Sequence, residues 1–146
     1  MRKIYHNFTN EKDIEDNLIL NEKQNTHIKI NETNNDFVNK VINKLSEDFE
    51  FEVKEQSYWR IEHRPGGHKW HQDTGTRGHM AWCQVGVSLL LQDSSSGGQT
   101  FYGKLKDDKK PTKLNRKVYD LVAHTSDEWH MVTPHKGRRI VFLMFI

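Results

Sequence analysis

From Phe49 onward the chain is a succession of short strand-like segments, most of them closed by a glycine-bearing or polar turn. No other feature narrows the possible folds so far. Residues 82–91 show it best. Val85, Val87, Leu89 and Leu91 alternate with Gln84, Gly86, Ser88 and Leu90, the period of two that sends successive side chains to opposite faces of a sheet. Residues 139–146 form a nearly continuous apolar run, as in a strand buried on both faces. Further strands are expected over residues 51–61, 70–73, 99–102, 118–123 and 129–132. Between them lie the Arg64-Pro65-Gly66-Gly67 turn and loops at 74–78, 93–98 and 103–117. Many short strands with turns between them favour a sandwich or a barrel.

Residues 1–50 differ in character. They are rich in Asn, Lys, Glu and Ile and contain no Gly or Pro. The His27-Ile28-Lys29-Ile30 segment alternates like a short strand. Asn34 or Asn35 is a suitable N-cap, and Phe37, Val38, Val41, Ile42 and Leu45 then share one helical face. A helix is expected over about 35–48, packed on the outside of the β structure. Residues 1–146 thus read as a single domain, with 1–50 a polar N-terminal helical layer and 51–146 a β core.

Composition sets limits. Hydrophobic residues make up 34% of the 146 and charged residues 29%, so a soluble chain is expected. The net charge of +2 is too small to argue for a nucleic-acid partner. No apolar stretch approaches the ~20 residues a membrane helix needs. Residues 4–10 hold no apolar run, which speaks against a secretory leader. The lone cysteine, Cys83, excludes an internal disulfide and a thiolate-rich zinc site, and fits a reducing cytoplasm. It is expected as a small core residue.

The chemistry concentrates at His71-Gln72-Asp73. In a strand, residues i and i+2 share a face, so His71 and Asp73 are expected side by side, about 7 Å apart at Cα. A third ligand, His130, follows 57 residues after Asp73 and must come from a neighbouring strand. Two imidazoles and one carboxylate on one face of a metal leave three positions open, the arrangement of the non-haem Fe(II) oxygenases. An H-x-D triplet alone is weak evidence, since nine histidines make a distal His nearly certain. The order of the other pieces is what adds weight.

Those pieces are Arg64-Pro65-Gly66, His71-Gln72-Asp73, Gly86-Val87-Ser88-Leu89-Leu90-Leu91-Gln92-Asp93, Gly97-Gly98-Gln99-Thr100-Phe101, His130-Met131-Val132-Thr133-Pro134 and Gly137-Arg138-Arg139. In that order, over roughly the C-terminal 60% of the chain, they resemble the 2-oxoglutarate and Fe(II)-dependent dioxygenases, especially the prolyl hydroxylase-like branch. The resemblance implies a mainly β fold with an N-terminal helix, a double-stranded β-helix (a cupin-like jelly roll). It implies that His71, Asp73 and His130 are both the catalytic and the metal residues. Fe(II) is the implied cofactor, with 2-oxoglutarate and O2 as co-substrates and ascorbate as a stimulant.

The resemblance further implies a cation for the C5 carboxylate of 2-oxoglutarate. Arg139, nine residues after His130, has the family's spacing, and Arg138 is its competitor. Where the family's turn carries a tyrosine that helps bind the co-substrate, this chain has His63, which could still donate a hydrogen bond. Ser88 or Thr100 would assist Arg139. The implied activity is hydroxylation of a prolyl residue in a peptide or protein, with release of succinate and CO2. The alternatives are an oxygenase of a small molecule or free amino acid, and a non-enzymatic metal-binding cupin-like barrel. A nucleic-acid substrate is disfavoured, because Phe145 stands where the demethylase branch carries a second arginine. The oligomeric state is left open.

The blander readings are these. Trp70, Trp82 and Trp129 pack walls, and His68, His79, His124 and His135 lie in or beside loops, in solvent. Residues 104–117 form a solvated basic loop or a lid, and residues 74–79 a loop that could close over the pocket.

Overall fold

The computed structural model describes residues 1–18, 25–74 and 78–146. In chain order the elements are β1 (Arg2–Tyr5), α1 (Glu11–Asn17), β2 (Ile28–Lys29), a 3-10 turn (Ile30–Glu32), α2 (Asp36–Leu45), β3 (Tyr58–Glu62), β4 (His68–His71), β5 (Val85–Gln92), β6 (Ser96–Gly97), β7 (Thr100–Gly103), β8 (Thr112–Lys113), β9 (Leu121–Thr125), β10 (Trp129–Val132), β11 (His135–Lys136) and β12 (Ile140–Phe145). They form a six-stranded sheet in the order β1-β9-β5-β12-β3-β2, a four-stranded sheet β4-β10-β7-β8, and a two-stranded ribbon β11-β6. Every pairing is antiparallel. The chain passes repeatedly from one large sheet to the other, which makes the fold a jelly roll.

Alternation along the strands of the large sheet separates two environments. Val85, Val87, Leu89, Leu121, Ala123, Ile140, Phe142, Met144 and Ile146 face the helices and build the main core. Their neighbours Ser88, Val122, His124, Val141, Leu143 and Phe145, with Tyr58, Arg60 and Glu62 of β3, line a cavity between the sheets. The apolar run of β12 therefore supplies a core on one face and a cavity wall on the other.

α2 covers the core face. Its N-cap is Asn35, whose side-chain oxygen accepts from Phe37 N at 2.9 Å and Val38 N at 3.1 Å. Asp36 in the first turn and Lys44 in the last suit the helix dipole. Phe37, Val38, Val41 and Leu45 are buried, and Phe37 meets Phe142 edge-on at 5.5 Å. Trp59 stacks on the same Phe142 ring at 5.7 Å.

Several boundaries differ from the sequence-based expectations. The first 50 residues are not only a helical layer, because β1 adds an edge strand against β9, Ile4 pairing with Val122 and Tyr5 with Leu121. α1 is a second helix, capped by Asn10 through Asp13 N. The strand expected from residue 51 begins at Tyr58. The strand expected over 118–123 lies at Leu121–Thr125, which carries His124 into the sheet. The strand expected over 70–73 ends at His71, so Asp73 projects from a turn. The 103–117 loop contains β8 and is tied internally by Asp108, which accepts from Lys104 N at 2.7 Å and Lys110 N at 2.9 Å. Cys83 is buried, as expected. Residues 75–77 of the loop thought able to close over the pocket lie outside the described residues. No helix among the described residues is long and apolar enough to cross a membrane.

Candidate metal centre

The smaller sheet brings the distal histidine to the triplet. β10 pairs with β4 so that His130 stands opposite His71. Asp73 swings in from the turn after β4, held by a hydrogen bond from its own N–H to Ser126 O at 3.1 Å. Asp73 Oδ1 then lies 3.3 Å from His130 Nε2 and 3.8 Å from His71 Nε2. One ligand atom from each of His71, Asp73 and His130 falls within 4.8 Å of the other two. The residues are brought together as the sequence suggested, but the tertiary fold places Asp73; the strand alternation assumed for it does not apply.

Backbone hydrogen bonds set the tautomers. His71 Nδ1–H donates to Lys69 O at 2.7 Å, and His130 Nδ1–H donates to Glu128 O at 2.9 Å. A carbonyl only accepts, so each ring carries a proton on Nδ1; the His71 Nε2 lone pair faces the cluster, and His130 Nε2 bonds Asp73 through a proton that a metal would displace. Two neutral imidazoles and an ionised carboxylate form the donor set of a divalent metal with open positions. Burial, then the neighbouring His130, pushes the His71 pKa down to about 3. His130 is raised: burial acts against its charge, but the bond and charge of Asp73 outweigh burial. Burial likewise opposes ionisation of Asp73, and the bonds from His124 and His130 overcome it, so its carboxyl sits well below the usual range. His68 stacks on His71 with ring centroids 3.6 Å apart.

His124 was expected in solvent and is one of the most buried polar residues, at 4% exposure. Its Nε2 lies 2.6 Å from Asp73 Oδ2, and its Nδ1 2.8 Å from Tyr102 Oη. With the proton on Nε2, His124 donates to Asp73 and accepts from the tyrosine hydroxyl. Asp73 Oδ2 is thereby occupied and Oδ1 is left to the ligand cluster. Gly86, on the adjacent β5, makes this arrangement possible. A Cβ there would overlap the Asp73 carboxylate and stand 2.7 Å from His124 Nε2. The sequence signal available for His124 was parity: it lies two residues after Val122 on one sheet face, but the misplaced strand boundary concealed it.

The cavity between the sheets has a volume of about 1220 Å³ and runs from the ligand cluster to Arg139. Arg139, just before β12, lines the cavity together with Val141, Leu143 and Phe145 and is 8% exposed, whereas Arg138 is exposed. The Arg139 Nε is buried and has no hydrogen-bond partner among the described residues. Gly98 seats this side chain: with φ +67°, it would bring a Cβ to 2.6 Å from Arg139 Cδ. Ser88 and Thr100 line the cavity as well. Ser88 Oγ, however, accepts from Arg116 Nη1 at 2.9 Å. His63 is not among the lining residues; it bonds the Arg139 carbonyl at 3.0 Å and faces His135 edge-on. His135 is buried, contrary to the expectation of a solvated ring. Arg116, read only as part of a basic loop, also lines the cavity.

No protein-family model matches the sequence, and no curated protein matches it. Solved structures do. A prolyl hydroxylase from Trichoplax adhaerens, in complex with a hypoxia inducible factor oxygen degradation domain peptide fragment, matches with a TM-score of 0.64 at 14% identity, over 99% of this chain and 82% of that one. A Pseudomonas putida prolyl-4-hydroxylase matches with a TM-score of 0.62 at 13% identity, over 99% and 90%. This chain has the prolyl hydroxylase fold. It spans 42% of an oxidoreductase of the 2OG-Fe(II) oxygenase family from Burkholderia pseudomallei, which matches 62% of this chain at 12% identity with a TM-score of 0.48.

Proposed function

We propose that the chain is an Fe(II)- and 2-oxoglutarate-dependent hydroxylase acting on a peptide or protein, with a prolyl residue the leading target. The observation that carries this reading is Arg139, a guanidinium with a buried, unpartnered Nε in the same cavity as the His-Asp-His cluster. A barrel that only stored or sensed a metal would gain nothing from a buried cation. A buried charge without a partner is costly, and a carboxylate supplied by a ligand removes that cost.

His71, Asp73 and His130 would hold the metal. The bonds from His71 and His130 to backbone carbonyls keep Nε2 aimed inward, and His124 holds the carboxylate. Bound Fe(II) supplies O2 activation coupled to oxidation of 2-oxoglutarate to succinate and CO2. Arg139 would take the C5 carboxylate, its planar fork matching two oxygens. Val122, Val141 and Leu143 keep the wall dry around the reacting groups. A polypeptide substrate is supported by the open mouth bordered by His27, Lys29, Gln56 and Lys106, and by the peptide bound to the Trichoplax adhaerens relative.

Adding Fe(II) and 2-oxoglutarate together without air should give a visible charge-transfer band that neither gives alone. With air, proline-containing peptides should gain one oxygen by mass and stimulate succinate release. A band without any peptide turnover, joined to turnover of a free amino acid, would replace the polypeptide by a small molecule. Metal uptake with no band would leave a metal-binding barrel.

A further inference from the structure

We infer that the carboxylate subsite of the cavity is built from two guanidinium groups, Arg139 and Arg116, and that Arg116 contacts the distal carboxylate of the bound 2-oxo acid. The inference rests on the co-substrate proposed above and adds a residue to it.

Arg116 reaches the cavity from the segment between β8 and β9, far from Arg139 in sequence. Its Nη1 donates to Ser88 Oγ at 2.9 Å and to Ser88 O at 3.2 Å. These bonds to β5 fix the guanidinium against the cavity wall. Leu114, two residues earlier, is itself anchored by a bond from its N–H to Thr100 O at 2.8 Å, so the approach of the side chain is braced from both sheets. Among the described residues no carboxylate forms an ion pair with either Arg116 or Arg139. Arg139 is more than nine-tenths buried with Nε unpartnered, and both residues line the same cavity. Burial, then the charge of Arg139, pushes the Arg116 pKa down to about 10, as two cations sharing one dry space require.

Asp93 acts on both cations from beyond ion-pair distance, and a ligand carboxylate in direct contact would relieve both at once. A carboxylate has two oxygens and about four lone-pair sites, enough for two guanidinium forks. Ser88, expected to touch the co-substrate, lines the cavity and also holds Arg116 in place. The basic run at 104–117 thus contains one residue whose role is internal, while Lys104, Lys109, Lys110 and Lys113 remain exposed.

The test compares 2-oxoglutarate with 2-oxovalerate, a 2-oxo acid of equal length with a methyl in place of the distal carboxylate. Binding of each to the Zn(II)-loaded protein is measured by calorimetry for the parent, Arg116→Met, Arg116→Gln, Arg116→Lys and Arg139→Met. Arg116→Met should weaken 2-oxoglutarate about tenfold or more, the scale of one charge-assisted hydrogen bond, and leave 2-oxovalerate unchanged. Arg116→Lys should recover part of the loss. Arg116→Gln keeps an amide for Ser88 and should show the same selective loss even if the methionine variant folds poorly. Equal weakening of both ligands would mean that Arg116 only braces β5, and would overturn the inference. So would an Arg116→Met protein that binds 2-oxoglutarate like the parent while Arg139→Met does not; the proposed function would then stand. A parent that takes up no 2-oxoglutarate overturns both.

Discussion

At the scale of residues, the centre depends on neighbours as much as on ligands. Asp73 keeps one oxygen for the cluster because His124 occupies the other. His124→Phe preserves volume but removes that bond, and the carboxylate is then free to rotate. Loss of such an orienting partner typically costs ~10–100-fold in metal affinity. Titration of Zn(II) or Co(II) against the variant should show a loss in that range, whereas Asp73→Ala should show a larger one. Parent-like affinity in His124→Phe would reduce His124 to a packing residue. Arg139 and Arg138 can be separated in the same way. Losing a buried carboxylate partner costs ~2–5 kcal/mol, so Arg139→Ala should weaken 2-oxoglutarate by about thirtyfold or more. Arg138→Ala, at an exposed position, should change it by less than about twofold. A large effect confined to Arg138→Ala would reverse the assignment.

At the scale of elements, β12 joins the core to the site. Its even-numbered residues pack under α2 and its odd-numbered ones line the cavity. Phe142 is fully buried between Phe37 and Trp59. Truncating such a ring leaves a cavity that rigid neighbours cannot close, so Phe142→Ala should cost ~3–5 kcal/mol of unfolding free energy. Urea denaturation measures this directly, and a loss below about 1 kcal/mol would show that α2 collapses onto the gap. The same change removes no contact partner of Val141 and Leu143 in the cavity wall, which lies on the opposite face of β12. If the protein remains folded, its metal affinity should stay near that of the parent, because β4, β10 and the turn bearing Asp73 carry the ligands and β9 their support.

At the scale of the whole molecule, buried neutral histidines make stability depend on pH. Burial pushes His68 down to about 4 and His71 down to about 3, and His124 is also lowered. The unfolded chain protonates these rings near pH ~6.5. Between pH ~6.5 and ~4 the unfolded state therefore binds more protons, and stability falls as pH falls. His130 acts in the opposite sense: its folded pKa is raised, so its contribution is complete below ~6.5 and is lost as pH rises through the folded value. These three lowered rings, joined by His27 and His135, which burial also lowers, outweigh one raised ring and give a net loss toward acid. The metal-free protein should melt several degrees lower at pH 5 than at pH 7. A divalent metal should raise the melting temperature more at pH 8 than at pH 6, because binding must displace the proton that His130 holds. A melting temperature that rose on acidification would contradict this balance.

Local chemistry decides what a chain can state by itself. Alternation over residues 85–91, the capped apolar face at 37–45 and the apolar run near the C-terminus already implied a β sandwich or barrel with a helix on its outside, and the jelly roll followed from the resemblance. His71, Asp73 and His130 could be named because the order of the surrounding motifs resembles that of the dioxygenases; the triplet alone would not have selected His130 among nine histidines. What no local pattern contains is the meeting of distant segments. β1 has too few apolar residues to declare itself, and its pairing with β9 supplies the evidence for it. Arg139 prevails over Arg138 because the closed sheets bury it in the cavity and leave Arg138 exposed. His124 and Arg116 looked like loop residues because their strand and cavity exist only after the sheets close. Gly86 carried no mark of its need to be small until the Asp73 carboxylate arrived from a turn 13 positions earlier. Burial, partner choice and protonation are properties of the assembled interior, and only the tertiary structure decided them.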